Sequence, residues 1–146
     1  MRKIYLKMAT AASAVIVAGL IPAASAVAAA PTPTAGSVKD LGCRAESKLK
    51  RNGKVYVYAT WNCKGRPICV DVDNDRDYAK GGDCKGADNR ASSVVNRGWA
   101  VKHSDVRFYL NPGYGGRSGC LRDGQYRERL PQASNNKISS HKWTNC

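Results

Sequence analysis

Asp88-Asn89-Arg90-Ala91-Ser92-Ser93 and Asn135-Asn136-Lys137-Ile138-Ser139-Ser140 spell one pattern twice: two amide or carboxylate residues, two variable residues, two serines. Upstream of each lies a second echo. Tyr58 to Gly65 reads Tyr-x4-Cys-x-Gly, and Tyr109 to Gly116 reads Tyr-x4-Tyr-x-Gly; each glycine is followed by Arg-x-x-Cys, ending at Cys69 and Cys120. The upstream elements are offset by 51 residues and the serine elements by 47, so register survives a four-residue length difference. A repeat of this period marks two copies of one supersecondary unit, each burying its apolar face on the other.

Around these elements the chain reads as short strands. Residues 54–60 alternate and are rich in β-branched and aromatic side chains, and 106–110 are their counterpart at the repeat offset. Further runs lie at 68–72, 92–96, 118–122, 126–130 and 139–143, separated by turn clusters such as Asn111-Pro112-Gly113 and Gly81-Gly82-Asp83. Apart from the N-terminal segment, nothing has helical period. The expectation is an all-β sandwich of four strands per copy, the copies spanning about 54–97 and 101–144.

Residues 1–26 read as a signal peptide. Arg2, Lys3 and Lys7 precede an apolar stretch from Met8 to Ile21, Pro22 breaks it, and Ala24-Ser25-Ala26 fits the cleavage pattern, as do ends at Ala28 or Ala30. The apolar run is shorter than the roughly 20 residues a membrane span needs, so the mature protein is expected to lack a transmembrane segment. Residues 27–42, rich in Ala and Pro, read as a flexible arm. The folded domain is then 43–146. A domain of this size has a modest core, and six cysteines compensate for it. Behind a signal peptide an even count implies disulfides, with 15 possible connectivities for six cysteines. Near-neighbour closure favours Cys43–Cys63, Cys69–Cys84 and Cys120–Cys146. Zinc is disfavoured, since there is no Cys-x2-Cys pair and only His103 and His141 are available to assist.

The chain carries a formal charge of +13, three of the positives lying in the signal segment, so the mature protein is near +10. Such a field favours anionic partners, including cell-envelope polymers and acidic proteins. Nucleic acid is disfavoured by compartment and by the lack of a recognition motif. Asp71, Asp73 and Asp75 have EF-hand opening spacing, but Arg76 and Gly82 stand where that loop needs glycine and glutamate. Strand alternation places those carboxylates on one face, where they are expected to meet basic side chains. No nucleophile elbow, zincin motif or free catalytic cysteine accompanies the histidines, which read as surface residues, and Glu46 and Glu128 are the only glutamates. The expectation is a protein that is not an enzyme.

Tyr-x4-aromatic-x-Gly followed by the Asn/Asp-Asn/Asp-x-x-Ser-Ser element resembles the βγ-crystallin Greek-key motif, two of which make one domain. The resemblance covers about 55–143. It is close in the second copy and looser in the first, where Cys63 replaces the second aromatic. It implies a βγ-crystallin-like sandwich of two Greek-key motifs, here disulfide-stapled. It also implies up to two calcium sites, with ligand positions at Asp88, Asn89, Arg90 (carbonyl), Ser92, Asn136, Lys137 (carbonyl) and Ser139. Arg90 and Lys137 set positive charge beside both loops, so any Ca2+ is expected to bind weakly, and no cofactor is required.

Among secreted proteins the motif set resembles the Streptomyces metalloproteinase-inhibitor family, which implies an extracellular peptidase inhibitor with a protease partner. The Cys69-Val70 dipeptide matches that family's scissile pair. It falls in an expected strand and its next cysteine is distant, so the reactive loop is not carried over. Two other readings stand beside this one: a cationic antimicrobial or killer-toxin-like protein acting on anionic envelopes, and a binding subunit of a secreted assembly tethered by the arm.

Overall fold

The computed structural model describes residues 41–146; the expected signal peptide and nearly all of the expected arm lie outside the described residues. A short helix, α1 (Gly42–Lys48), leads into β1 (Lys54–Tyr58), β2 (Cys69–Asp71) and β3 (Ser93–Arg97) of the first copy. β4 (Asp105–Asn111), β5 (Gly115–Leu121), β6 (Tyr126–Arg127) and β7 (Ser140–Thr144) form the second. Two antiparallel sheets result, ordered β2-β1-β3-β6 and β5-β4-β7.

The copies trade strands. β6 pairs with β3 of the other copy, setting Val94 opposite Arg127 and Val95 opposite Tyr126. In return, Asp75 of the first copy bridges His141 on β7. This is the Greek-key exchange the repeat implies, with one difference from the expected four strands per copy. The first copy's third strand has shrunk to that single bridge, because β2 ends at Asp71 and the chain bends before Asp75.

Period-2 patterning builds the core. Val55 and Val57 on β1 and Val94 on β3 face Val106, Phe108 and Leu121 of the second sheet, and Ala87, Ala91, Leu130 and Ile138 close the gap from the loops. Full burial of side chains of this size contributes about 1.5–3 kcal/mol each. The outer face of the first sheet is covered as well: Tyr58 and Val95 pack with Cys43 and Cys63 in a second cluster.

That cover includes α1, which corrects the expectation of no helix. Seven residues make fewer than two turns, too few to print a 3.6-residue period. Tertiary contacts hold it instead. Cys43 is bonded to Cys63, and Arg97 binds Glu46 at 2.7 Å while also donating to the Lys50 carbonyl. The other cysteine pairs are Cys69–Cys84 and Cys120–Cys146, with Cα separations of 4.4 and 6.3 Å, and no described cysteine is free. No described helix is long and apolar enough to cross a membrane.

Candidate functional site

The two serine elements meet back to back and exchange hydrogen bonds by the same rule. The Asn89 N–H donates to the Ile138 carbonyl at 3.0 Å, and the Asn136 N–H donates to the Ala91 carbonyl at 2.8 Å. Both asparagines sit at φ 55°, a left-handed conformation that Asn tolerates better than most residues. Burial runs identically through both elements, from half-buried Asp88 and Asn135 through two exposed residues to three buried ones.

The last serine of each element has a task that the sequence pattern does not announce. The Ser93 hydroxyl donates to the Thr60 carbonyl at 2.6 Å and accepts from the Cys63 N–H at 3.0 Å. Ser140 repeats this with the Asn111 carbonyl at 2.7 Å and the Tyr114 N–H at 3.2 Å. Each serine therefore clamps the folded hairpin of its own copy. Those hairpins share one backbone: φ is 56°, 53° and 75° at Asn62, Cys63 and Gly65, and 70°, 62° and 73° at Gly113, Tyr114 and Gly116. Tyr58 and Tyr109, both buried, sit at the foot of each hairpin. Tyr109 packs its ring 5.8 Å from that of Tyr114, whereas Tyr58 packs with the Cys43–Cys63 disulfide.

Of the resemblance-derived ligand positions, the fold gathers both elements into one region but satisfies several groups without an ion. The Ser92 hydroxyl donates to Asn136 Oδ1 at 3.1 Å, and the Arg90 guanidinium folds back onto the Gly86 carbonyl at 2.8 Å. Lys137 is exposed and Ser139 is buried, with its N–H on the Tyr109 carbonyl at 3.0 Å. Asn89 donates to Asp88 Oδ2 at 2.9 Å. Two oxygens stay unsatisfied: Asp88 Oδ1 and Asn135 Oδ1, buried without a hydrogen-bond partner at equivalent places in the two elements. Hard oxygens of this kind suit calcium. Asn135, which the ligand positions omit, is the partner by symmetry of Asp88.

The acidic run corrects another expectation. Asp73 is exposed, but Asp71 and Asp75 turn inward and are buried beside His141 and Tyr78, meeting neither Lys nor Arg. The Tyr78 hydroxyl donates to His141 Nδ1 at 2.8 Å, and His141 Nε2 donates to the Asp73 carbonyl at 3.0 Å. That network assigns the neutral tautomer. Burial pushes His141 down to about 4, against the Asp73 hydrogen bond and the Asp75 charge, which favour protonation. Its 3.9 Å approach to Asp71 is then a polar contact rather than an ion pair near neutral pH. Burial likewise raises Asp71 and drives Tyr78 well above the ordinary tyrosine range. His103 is exposed as expected, whereas His141 is wholly buried rather than at the surface. Asp71, Cys84 and His141 cluster like metal ligands, as do Asp105, Cys120 and Cys146. In both clusters the sulfurs are committed to disulfides.

On the surface, residues 61–67 form a strapped segment. Cys63, within it, and Cys69, two residues past its end in β2, are bonded to different parts of the body. The Thr60 hydroxyl donates to the Lys64 carbonyl at 2.5 Å, and the Asn62 N–H donates to the Glu128 carbonyl at 2.7 Å. Lys64 and Arg66 are exposed, as is Trp61, whose ring lies 3.7 Å beneath the Arg129 guanidinium. Cys69 and Val70 lie in β2, one of the two edge strands of its sheet, with Cys69 buried.

Duplicated Greek keys, reciprocal serine loops and paired tyrosine hairpins define a βγ-crystallin domain. A solved structure concerned with the evolution of the eye-lens βγ-crystallin domain fold matches with TM-score 0.51 and 20% identity, covering 62% of this chain and 83% of the other. A βγ-crystallin from Ciona intestinalis matches with TM-score 0.50 and 17% identity over 63% of this chain and 100% of its own. No curated protein sequence matches. Residues 51–121 match the sequence model of peptidase inhibitor family I36. The protein therefore has the βγ-crystallin fold, and over residues 51–121 it is similar to that peptidase-inhibitor family.

Proposed function

We propose that this protein is a secreted, non-catalytic peptidase inhibitor that docks on an extracellular protease through the strapped segment 61–67. The observation that carries the reading is the family match over 51–121, which spans that segment. Its physics supports the same reading. A loop held by one disulfide within it, a second just past its end and local hydrogen bonds loses little conformational entropy on docking. An exposed Trp stacked with Arg, beside Lys64 and Arg66, has the composition of binding hot spots. The basic residues favour a protease with an acidic rim.

The test titrates the purified protein against secreted metallo- and serine proteases at low and moderate salt. Stoichiometric inhibition is expected to survive moderate salt, and the double variant Trp61→Ala/Lys64→Ala is expected to weaken it by roughly 30-fold or more, the size of a hot-spot loss. Unchanged inhibition by that variant would move the contact surface elsewhere. Absence of inhibition throughout, together with killing of bacteria that collapses as salt rises, would favour the envelope-acting reading, because screening removes long-range attraction.

We also infer weak calcium sites at the serine elements, held by Asp88 and Asn135 with neighbouring carbonyls. One carboxylate among the two first positions, with Arg90 and Lys137 alongside, argues against tight binding. Calorimetry is expected to show affinity no tighter than micromolar, and chelator is expected to leave the thermal transition in place, since the disulfides already constrain the unfolded chain. Sub-micromolar binding or unfolding by chelator would overturn this.

A further inference from the structure

The two halves are not packed alike. A cavity of about 350 Å³ opens between the sheets in the second copy, its walls formed by core side chains including Val94, Phe108, Leu121 and Ile138. The same place in the first copy is full. There Cys69 stands opposite Val57, inside the sandwich, and its disulfide to Cys84 fills the slot. Phe108 is the counterpart of Val57, but the residue opposite it is Gly119. Residues directly opposite on paired strands share a face, so a side chain at 119 would point inward, and a Cβ built there meets nothing within 4 Å.

The cysteine of the second copy has slipped by one position. Cys120 stands opposite Arg107, on the outer face, and the hairpin carries a register shift between Tyr109 and Asn111. A one-residue slip reverses which face a side chain occupies. The disulfide therefore moves outside and leaves the inner slot open.

The other groups that fill the first copy are replaced in a matching way. Tyr78 donates its N–H to the Ser139 carbonyl and Leu130 donates its own to the Ser92 carbonyl, so the smaller Leu130 takes the place of Tyr78. By the same symmetry Arg127, opposite Val94, replaces buried Asp75, opposite His141. Arg127 and Arg117 flank the opening from β6 and β5, one from each sheet. Among the described residues neither guanidinium has an acidic partner; Arg127 bonds only the neighbouring Tyr126 carbonyl.

We propose that this cavity binds a small carboxylate bearing an apolar chain, the chain lying between the sheets and the head group held by Arg117 and Arg127. The volume lies at the lower end of the roughly 300–1,000 Å³ of small-molecule pockets. Guanidinium is the side chain best shaped to hold a carboxylate. The inference is independent of protease inhibition and rests on the asymmetry of the copies.

The test follows backbone amide resonances and calorimetry of the purified protein with hexanoate, octanoate and decanoate, and with 1-octanol as the uncharged match. Affinity is expected to rise about fourfold per added methylene, octanoate is expected to bind at least tenfold tighter than octanol, and perturbed resonances should centre on residues 94, 108, 119 and 130. Arg117→Gln/Arg127→Gln, at exposed positions, should bring octanoate to the level of octanol. Gly119→Leu should abolish binding while the protein stays folded. Unperturbed spectra at millimolar decanoate, octanol binding as well as octanoate, or shifts spread over the basic surface would each overturn the proposal.

Discussion

Replacing Cys69 and Cys84 by alanine is expected to destabilise the protein by roughly 4–6 kcal/mol, well beyond the loss from replacing Cys120 and Cys146. Loop closure alone gives the opposite ranking. The sequence separations are 15 and 26 residues, for which the entropic relation yields about 3 and about 3.5 kcal/mol. Packing reverses the order. Cys69 and Cys84 are 2% and 0% exposed within the main core, so their loss adds a cavity term of about 1–3 kcal/mol. It also loosens the wall around Asp71 and His141, which lie 3.8 and 4.0 Å from the Cys84 sulfur. Cys120 is half-buried and Cys146 exposed, so the outer bridge contributes by constraint alone. Small domains have a total stability of about 5–15 kcal/mol, so the inner variant should lose a large share of it. Urea denaturation of the two double variants under non-reducing conditions measures the difference; equal losses, or a larger loss at the outer bridge, would contradict the packing argument.

Acidification is expected to cost about 3 kcal/mol through His141 alone. In the unfolded chain this histidine has its ordinary value of 6.5, and burial in the fold lowers it to about 4. Between those values the unfolded chain binds a proton that the folded state refuses. The His141 contribution is therefore complete above pH 6.5, declines as pH falls, and is lost by about pH 4. Asp71 works in the other direction: its folded value is raised above 3.8, so it adds stability as pH falls through that raised value. Tyr78 does not titrate in this range, and Asp75, the other carboxylate facing the ring, favours its protonation. Urea midpoints at pH 7.5, 5.5 and 4.5, compared between the protein and its His141→Gln variant, isolate this histidine. The variant should show a much flatter profile from pH 7.5 to 4.5; parallel profiles would mean that the ring does not carry the dependence.

What the sequence disclosed and what it hid divide along physical lines. Tyr58, Gly65 and Ser92 with their counterparts were legible because a duplicated backbone needs the same special residues at the same places. The strands were legible because half-buried strands print period 2. α1 left no trace, since it is held by Cys43 and Arg97 rather than by amphipathic period. Asp71 and Asp75 escape strand parity because the strand stops at Asp71, and the burial of His141 depends on Tyr78 and Asp73, 63 and 68 residues away in the other copy. The roles of Ser93 and Ser140 depend on hairpins folding back over them, a contact of 29 to 33 residues in sequence separation. The cavity was hidden by its own disguise: Gly-Arg-x-x-Cys recurs letter for letter, yet a slip of one residue puts one cysteine inside and the other out.

The strand and loop exchange makes this molecule a dimer written on one chain. Each half completes the other's sheet, and the reciprocal bonds of Asn89 and Asn136 are the contacts of a two-fold interface. The connection over 98–104 lies in neither sheet, so its role is that of a tether, keeping the halves at the millimolar effective concentration that short linkers provide. A symmetric pair of identical subunits must alter both pockets whenever it alters one. Tethered copies are released from that rule: one has become a polar, cross-linked keystone, and the other is free to stay hollow.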